Sequence, residues 1–165
     1  MTVCCTHGTE SERSVISPSE QSSDPFNLSR FVEAQRSAYE EAVDELRRGR
    51  KSSHWMWFVF PQIDGLGHST TARFYAITCL DEAQAYLAHP ELGPRLVACC
   101  DALLAVDGKS AREILGSPDD IKLKSSMTLF AQVSGAPAQF AQVLDKYYSG
   151  RQDERTLELL KSAGA

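Results

Sequence analysis

Apolar residues recur at three- and four-residue steps along most of the chain after Pro25. This spacing is typical of amphipathic helices. The first helical face combines Leu28, Phe31, Val32, Gln35, Tyr39, Ala42, Val43 and Leu46. Asn27 is a suitable N-cap, and Gly49 is suited to the position just after the C-terminus of a helix. We therefore predict one helix between these two residues.

Turn and capping signals divide the rest of the chain into further helices. They are Ser69 or Thr70, Asp81, Pro90, the Ser110–Glu113 capping box, Ser117-Pro118, Gly135 and Pro137. The pattern predicts seven or eight short helices, with no sustained alternation and no internal repeat. We therefore expect an all-α fold, or a mainly α fold with a minor extended element, in one compact multi-helical domain.

The segment from position 54 to 60 is the most apolar and aromatic run, His-Trp-Met-Trp-Phe-Val-Phe. It does not alternate, and it is too short to assign by periodicity. A buried strand and a buried helical turn both fit it. The following residues, 63–67, include two glycines and predict a turn with positive φ at both. The next helix is expected to carry Phe74, Tyr75, Ile77 and Leu80.

Composition and charge narrow the class of protein. The chain has 165 residues, of which 42% are apolar and 24% charged, with a net charge of −5. It has no apolar stretch near the roughly 20 residues of a membrane helix. Residues 1–24 are rich in Ser and Thr and carry −3, so we expect a disordered acidic tail there and a single helical domain over 25–165. The domain alone is only mildly acidic, which argues weakly against nucleic-acid binding.

The five cysteines make a poor disulfide framework. Cys4 and Cys5 are adjacent, Cys99 and Cys100 are adjacent, and Cys79 stands alone. Their spacing does not fit a zinc site either. We predict that Cys99 and Cys100 are buried free thiols, which suits a reducing, cytoplasmic location.

The chain lacks the common catalytic motifs. It contains no Walker loop, no nucleophile elbow, no zinc-protease helix and no pair of histidines at ligand spacing, so we predict no metal and no cofactor. The segment 54–73 nevertheless combines aromatic residues with a glycine-rich turn that leads into a helix start. Such a start favours an anion, and aromatic rings stack on bases. The alternative is a set of core aromatics, a turn and a helix cap.

On the first interpretation we assign roles to individual residues. The ligand-binding candidates are Trp55, Trp57, Gln62, Gly67, Ser69, Arg73, Lys122 and Ser125. The two tryptophans would stack on a base, and Arg73 with the Gly67–Ser69 turn would bind phosphate, assisted by Lys122. His54 and Asp119 are the acid–base candidates. As alternatives, His54 is a hydrogen-bonded core histidine, and the stripe Asp119, Lys122 and Ser126 is a solvated helix face.

Several of these stretches together resemble one known family, the domain-of-unknown-function 1810 family of bacteria and fungi. The matching stretches are 39–46 with Gly49 and Lys51, 54–62, 65–69, 82–90, 119–131 and Asp153 with Thr156-Leu157. The resemblance implies a compact helical domain over about residues 26–161, but no activity and no catalytic residues. Members are sometimes called calpastatin, yet calpain inhibitors of that type are disordered repeats. A weaker, distant likeness to the NADAR superfamily implies ADP-ribose or N-glycoside chemistry.

Three functions follow as expectations. The first is a pocket for an ADP-ribose-like or phosphorylated nucleoside ligand, with hydrolysis of an N-glycosidic bond as an additional activity. The second is a non-catalytic helical protein-interaction module with an exposed apolar patch. The third is weak RNA binding through the basic residues of 47–51, for which helix-dipole compensation is the alternative. Convergence of Trp55, Gln62, Arg73 and Lys122 on one cleft would favour the first over the second. Scattered side chains, or two wholly buried tryptophans, would favour the second.

Overall fold

The structure is a computed structural model that describes residues 23–164. These residues form nine helices: α1 (Ser29–Arg47), α2 (Met56–Val59), α3 (Thr70–Phe74), α4 (Leu80–Ala88), α5 (Leu92–Leu104), α6 (Ala111–Leu115), α7 (Asp119–Ala131), α8 (Gln139–Tyr148) and α9 (Glu154–Ala163). The all-α prediction is confirmed, with one helix more than expected over these residues. Most of the predicted disordered tail, residues 1–22, lies outside the described residues.

The ends of α1 show which capping signals were correct. Gly49 has a φ of +64° and ends the helix as predicted. At the other end Asn27 is not the cap, because its own φ is +52°. The carboxylate of Asp24 caps the helix instead, accepting hydrogen bonds from the backbone N–H groups of Leu28 at 2.6 Å and Ser29 at 2.9 Å.

The core lies where α1, α5, α7 and α8 pack on one another. A chain of aromatic rings crosses it, from Phe31 to Tyr86 to Phe130 to Phe140, with centroids 5.1–5.8 Å apart. Helix α7 has buried residues on most of its circumference. It is therefore a central helix, and only its first two turns are open to solvent on one side.

A buried ion pair fastens the segment after α3 to α1. Arg30 Nη2 lies 2.7 Å from Glu82 Oε1, and the two side chains are 9% and 2% exposed. Arg30 also donates to the carbonyls of Phe74 and Ala76. Glu82 in turn accepts hydrogen bonds from the backbone and hydroxyl of Thr78. The sequence pattern gave no sign of this pair, because its members lie 52 positions apart.

The aromatic run and the turn after it are only partly as expected. The run forms the single helical turn α2, which is the second of the two predicted alternatives. Gly65 has a positive φ of +98°, whereas Gly67 does not. The helix expected to continue to Leu80 ends at Phe74, because the chain turns there and Ile77 forms a parallel bridge with Ile63.

The cysteine prediction is confirmed for the described residues. Cys99 and Cys100 are free and fully buried, and Cys79 is free and partly exposed. Burial raises the pKa of the Cys99 thiol to about 12, so this thiol stays protonated and unreactive near neutral pH. None of the described helices is both long and apolar enough to cross a bilayer.

Candidate functional site

One open pocket of about 460 Å³ contains six of the eight predicted ligand-binding residues. These are Trp57, Gln62, Gly67, Ser69, Lys122 and Ser125. Leu66, His68, Ala72, Pro118, Ile121 and Asp153 complete its wall. The pocket therefore lies where the α2–α3 segment faces the first turns of α7 and the start of α9. We call it the Trp57 pocket.

The wall of the Trp57 pocket places a cation beside an aromatic ring. The Lys122 ammonium lies 4.9 Å from the centroid of the Trp57 ring. Trp57 is half-buried, so part of its ring is accessible, and Lys122 is one-quarter exposed at its side chain. The ammonium lies over the ring face, so this cation–π contact combines an aromatic surface and a positive charge in one wall, and the ammonium must move off the face before a base can stack on it.

Asp119 holds Lys122 together with a second lysine. Its carboxylate lies 3.1 Å from the Lys122 ammonium and 2.8 Å from that of Lys51. The Lys51 ammonium also donates to the carbonyl of Ser53 at 2.7 Å and lies 5.1 Å from the Trp55 ring. Two cations share one carboxylate here, so Asp119 only partly neutralises Lys122, and a second carboxylate, that of Asp153, lies in the pocket wall. Asp119 itself does not line the pocket.

A buried carboxylate fixes the chain just before the pocket. Glu45 is 1% exposed and accepts hydrogen bonds from Ser52, Ser53 and the indole N–H of Trp55, the last at 2.8 Å. Burial alone would raise the pKa of Glu45, but these hydrogen bonds outweigh it and lower the pKa to about 2. The network anchors residues 52–55 on α1, and thereby positions α2 and Trp57.

Sequence reasoning missed Glu45. A glutamate among the apolar face positions of a predicted helix, next to Leu46 and Val43, was the available signal. Buried carboxylates need several donors, and the Ser52-Ser53 pair a few residues later could supply them.

Two of the predicted ligand-binding residues lie outside the Trp57 pocket. Trp55 is only 1% exposed, and its indole N–H is taken by Glu45, so no base can stack on it. Arg73 lies outside the Trp57 pocket and lines a separate cavity of about 450 Å³ with Arg30 and Phe74. On the short helix α3 it is Ala72, not Arg73, that faces the pocket. Of the four residues expected to converge, only Gln62 and Lys122 share a cleft, so this criterion by itself does not favour a ligand site over an interaction module.

The turn that precedes α3 contributes more to the shape of the Trp57 pocket than to its charge. The Ser69 hydroxyl accepts a hydrogen bond from the Ala72 N–H at 3.1 Å, as the predicted cap. One of the free amides of the helix start is thereby satisfied, and α3 has only five residues. A Cβ at Gly67 would lie 2.4 Å from the Ala72 Cβ, so glycine is needed for this close approach.

The acid–base candidates also lie outside the Trp57 pocket. His54 is exposed, so the alternative of a core histidine is wrong, and it does not line the pocket. Ser126 is fully buried on the core side of α7, so the predicted stripe with Asp119 and Lys122 is not a solvated face. Ser125 reaches the pocket wall instead, where its hydroxyl donates to the Ile121 carbonyl at 3.2 Å.

Asp153 is a further residue of the wall that sequence reasoning did not select. Its carboxylate accepts a hydrogen bond from the Thr156 N–H at 2.9 Å and so caps α9. Its backbone N–H donates to the Thr128 hydroxyl on α7 at 2.8 Å. These bonds hold the carboxylate in place at the edge of the pocket. Its N-cap position was the signal available in the sequence.

The two other expected functions have less geometric support. In the basic run 47–51, Lys51 is nearly buried against Asp119 and Arg47 lies 3.7 Å from Asp44. Among the described residues, the large apolar side chains that are exposed are Phe74, at 54%, Leu80 and Ile121. Ile121 belongs to the Trp57 pocket, so these residues do not all form one patch.

Comparisons with known proteins agree on one family. The sequence model of the family described as "Protein of unknown function (DUF1810)" matches residues 25–160. A solved structure, the conserved hypothetical protein Rv1873 from Mycobacterium tuberculosis, is 56% identical, with a TM-score of 0.82. The similarity covers 84% of this chain and 99% of that one. A comparison with curated proteins finds no significant match. The likeness to the NADAR superfamily stays a prediction. The matches over nearly all of the helical domain show that the chain belongs to the DUF1810 family of proteins of unknown function.

Proposed function

We propose that the protein binds a phosphorylated nucleoside in the Trp57 pocket, with the base on Trp57 and the phosphate on Lys122. The observation that carries the proposal is the Lys122 ammonium 4.9 Å from the Trp57 ring at the wall of one pocket. An ADP-ribose-like ligand belongs to the same chemical class. The binding partner is thus a small molecule rather than a nucleic acid.

The chemistry of the pocket supports this ligand class. Stacking of a base on an aromatic side chain contributes about 1–3 kcal/mol. Lysine is a compact point charge that suits phosphate, and Lys51 shares the Asp119 carboxylate with Lys122, so Asp119 only partly neutralises Lys122. Gln62 can donate to and accept from a base edge. The volume of about 460 Å³ falls within the range of small-molecule pockets.

The proposal concerns binding and does not include hydrolysis. Neither His54 nor Asp119 lines the pocket, and Asp119 is held by two lysines. An acid or base must reach the reacting atoms directly or through one water molecule. The expected N-glycosidase activity therefore has less support than ligand binding.

The test is a calorimetric titration of the purified protein with AMP. Wild-type protein is expected to show saturable binding. Lys122→Gln should weaken AMP binding about tenfold or more, because a charged hydrogen bond to phosphate is lost. Trp57→Leu should weaken it by about 5- to 100-fold, through lost stacking.

A matched variant controls for the change in net charge. Lys161→Gln removes one exposed charge on α9, away from the Trp57 pocket, and should leave AMP binding unchanged. Adenosine should bind wild type and Lys122→Gln equally, since it has no phosphate. Absence of saturable AMP binding at millimolar concentration, or equal losses in both lysine variants, would overturn the proposal.

A further inference from the structure

A second cleft adjoins the Trp57 pocket and carries more positive charge. It has a volume of about 570 Å³, and its charged lining residues are Lys124, Arg151, Asp153, Glu154 and Arg155. Three cations there face two carboxylates. Asp153 belongs to the lining of both cavities, so the two are neighbours across this residue. We call the second cavity the Arg151 cleft.

Two cations of the Arg151 cleft have no acidic partner within the described part of the chain. Arg155 lies 3.1 Å from Glu158, whereas Lys124 and Arg151 form no ion pair among residues 23–164. Arg151 is exposed and Lys124 is partly buried. These two side chains are thus free to accept an anion without breaking an existing contact.

Lys122 and Lys124 lie on either side of one stripe of residues on helix α7. Ile121, Ser125 and Thr128 follow one another at helical spacing along it. Lys122 and Lys124 leave the helix on opposite sides of this stripe, one toward each cavity. Asp153 donates its backbone N–H to the Thr128 hydroxyl on the stripe and lines both cavities.

The carboxylate of Asp153 is fixed in a way that lessens its repulsion of an anion. It accepts two hydrogen bonds from Thr156, and it lies at the N-terminus of the ten-residue helix α9, where the dipole offsets negative charge. Ribose hydroxyls are donors, and a carboxylate at this point suits them. A ligand can thus cross Asp153 with its sugar and place anionic groups on both sides.

We infer that the ligand of the Trp57 pocket carries a second phosphate, which binds Lys124 and Arg151 in the Arg151 cleft. The substrate class is then a nucleoside bisphosphate, whose two phosphates lie on opposite sides of the ribose, rather than a monophosphate. This inference rests on the proposed function, because the base and first phosphate occupy the Trp57 pocket. It adds a second subsite that the first proposal does not require.

The test compares AMP, ADP and adenosine 3′,5′-bisphosphate on the same protein by calorimetry. Wild type is expected to bind adenosine 3′,5′-bisphosphate about tenfold tighter than AMP, whereas ADP, with both phosphates on one side of the ribose, should gain no more than about twofold. In the double variant Lys124→Gln/Arg151→Gln this advantage should fall to about twofold or less. The affinity for AMP should stay within about twofold of wild type.

A control variant separates a local subsite from bulk charge. Arg112→Gln/Lys161→Gln removes the same two charges from exposed positions outside both cavities. It should keep the advantage of the second phosphate. Arg151→Gln alone changes an exposed side chain and should lower the advantage of the second phosphate without affecting folding, which circular dichroism checks.

The outcomes distinguish the two proposals. If AMP binds but adenosine 3′,5′-bisphosphate binds no more tightly, or if ADP gains as much, the second subsite is wrong and the proposed function stands. An advantage that survives in Lys124→Gln/Arg151→Gln, or that is lost equally in the control variant, also overturns the subsite. If none of the three nucleotides binds, both proposals fail.

Discussion

Glu45 shows how a single buried charge shapes the candidate site. Its carboxylate takes hydrogen bonds from two serines and from the indole of Trp55, and these lower its pKa from 4.5 to about 2. A carboxyl group whose pKa is lower in the folded state than in the unfolded state stabilises the folded protein at pH values above its unfolded-state pKa. This contribution is lost as pH falls from about 4.5 toward 2, and it amounts to about 3 kcal/mol by linkage.

We therefore predict a distinct pH dependence for Glu45→Gln. At pH 7 the variant should unfold with a free energy about 2–3 kcal/mol below wild type, because a buried charge-assisted network is broken. Between pH 5 and pH 2.5 its stability should fall less steeply than that of wild type. Urea denaturation at a series of pH values measures both effects.

Glu41→Gln, an exposed change on the same helix, should follow the wild-type curve. Parallel curves for Glu45→Gln and wild type would contradict the prediction.

The distinction between Trp55 and Trp57 could not be predicted from the sequence. Both residues belong to one short aromatic run with no measurable period. Trp55 is buried because Glu45, ten positions earlier, accepts its indole N–H. Trp57 reaches the pocket because α2 is a helical turn that presents it toward Lys122 on α7. Residue type was enough to select Trp57, Gln62 and Lys122, but long-range contacts decide which tryptophan is accessible.

At the level of elements, helix ends that depend on local signals, such as the start of α6 and the end of α1, were predictable, whereas the end of α3 was not. The Ser110–Glu113 capping box and Gly49 act through hydrogen bonds and backbone angles within a few residues. The end of α3 depends instead on Ile77 reaching Ile63 and on Arg30 binding the carbonyl of Phe74. Such long-range contacts cannot be read from the local sequence. The predicted helix therefore extended beyond the actual end of α3.

The ion pair between Arg30 and Glu82 should be a major link between α1 and α4. Removing one partner of a buried pair leaves the other charge unsatisfied, which costs about 3–5 kcal/mol. We expect Glu82→Gln to lower the free energy of unfolding by roughly this amount in chemical denaturation. The exposed pair of Arg155 and Glu158 is the control, and Glu158→Gln should cost less than about 0.5 kcal/mol. Similar losses in the two variants would show that the Arg30–Glu82 pair has no special role.

Over the whole molecule, stability is unevenly distributed. Helices α5 and α7 pack against several neighbours and bury about half of their residues, whereas α9 buries Thr156 and packs chiefly on α7. Elements with little burial open at lower free energy than the core. Both proposed phosphate sites adjoin the start of α9, so a weakly held helix borders the place where a ligand would bind.

Hydrogen exchange should reveal both properties. Without ligand, backbone amides of residues 157–162 are expected to exchange about 100-fold faster than those of residues 97–103 in α5 and 124–130 in α7. Saturating AMP should slow exchange in α9, because opening this helix removes Asp153 from the pocket and so releases bound ligand. The exchange rate in α9 should fall further as the AMP concentration rises. The decrease stops when exchange through global unfolding becomes faster than exchange through local opening of α9. Lys122→Gln should lose the effect and Lys161→Gln should keep it. Slowing confined to α5 and α7, with α9 unchanged, would mean that the ligand binds away from the Trp57 pocket.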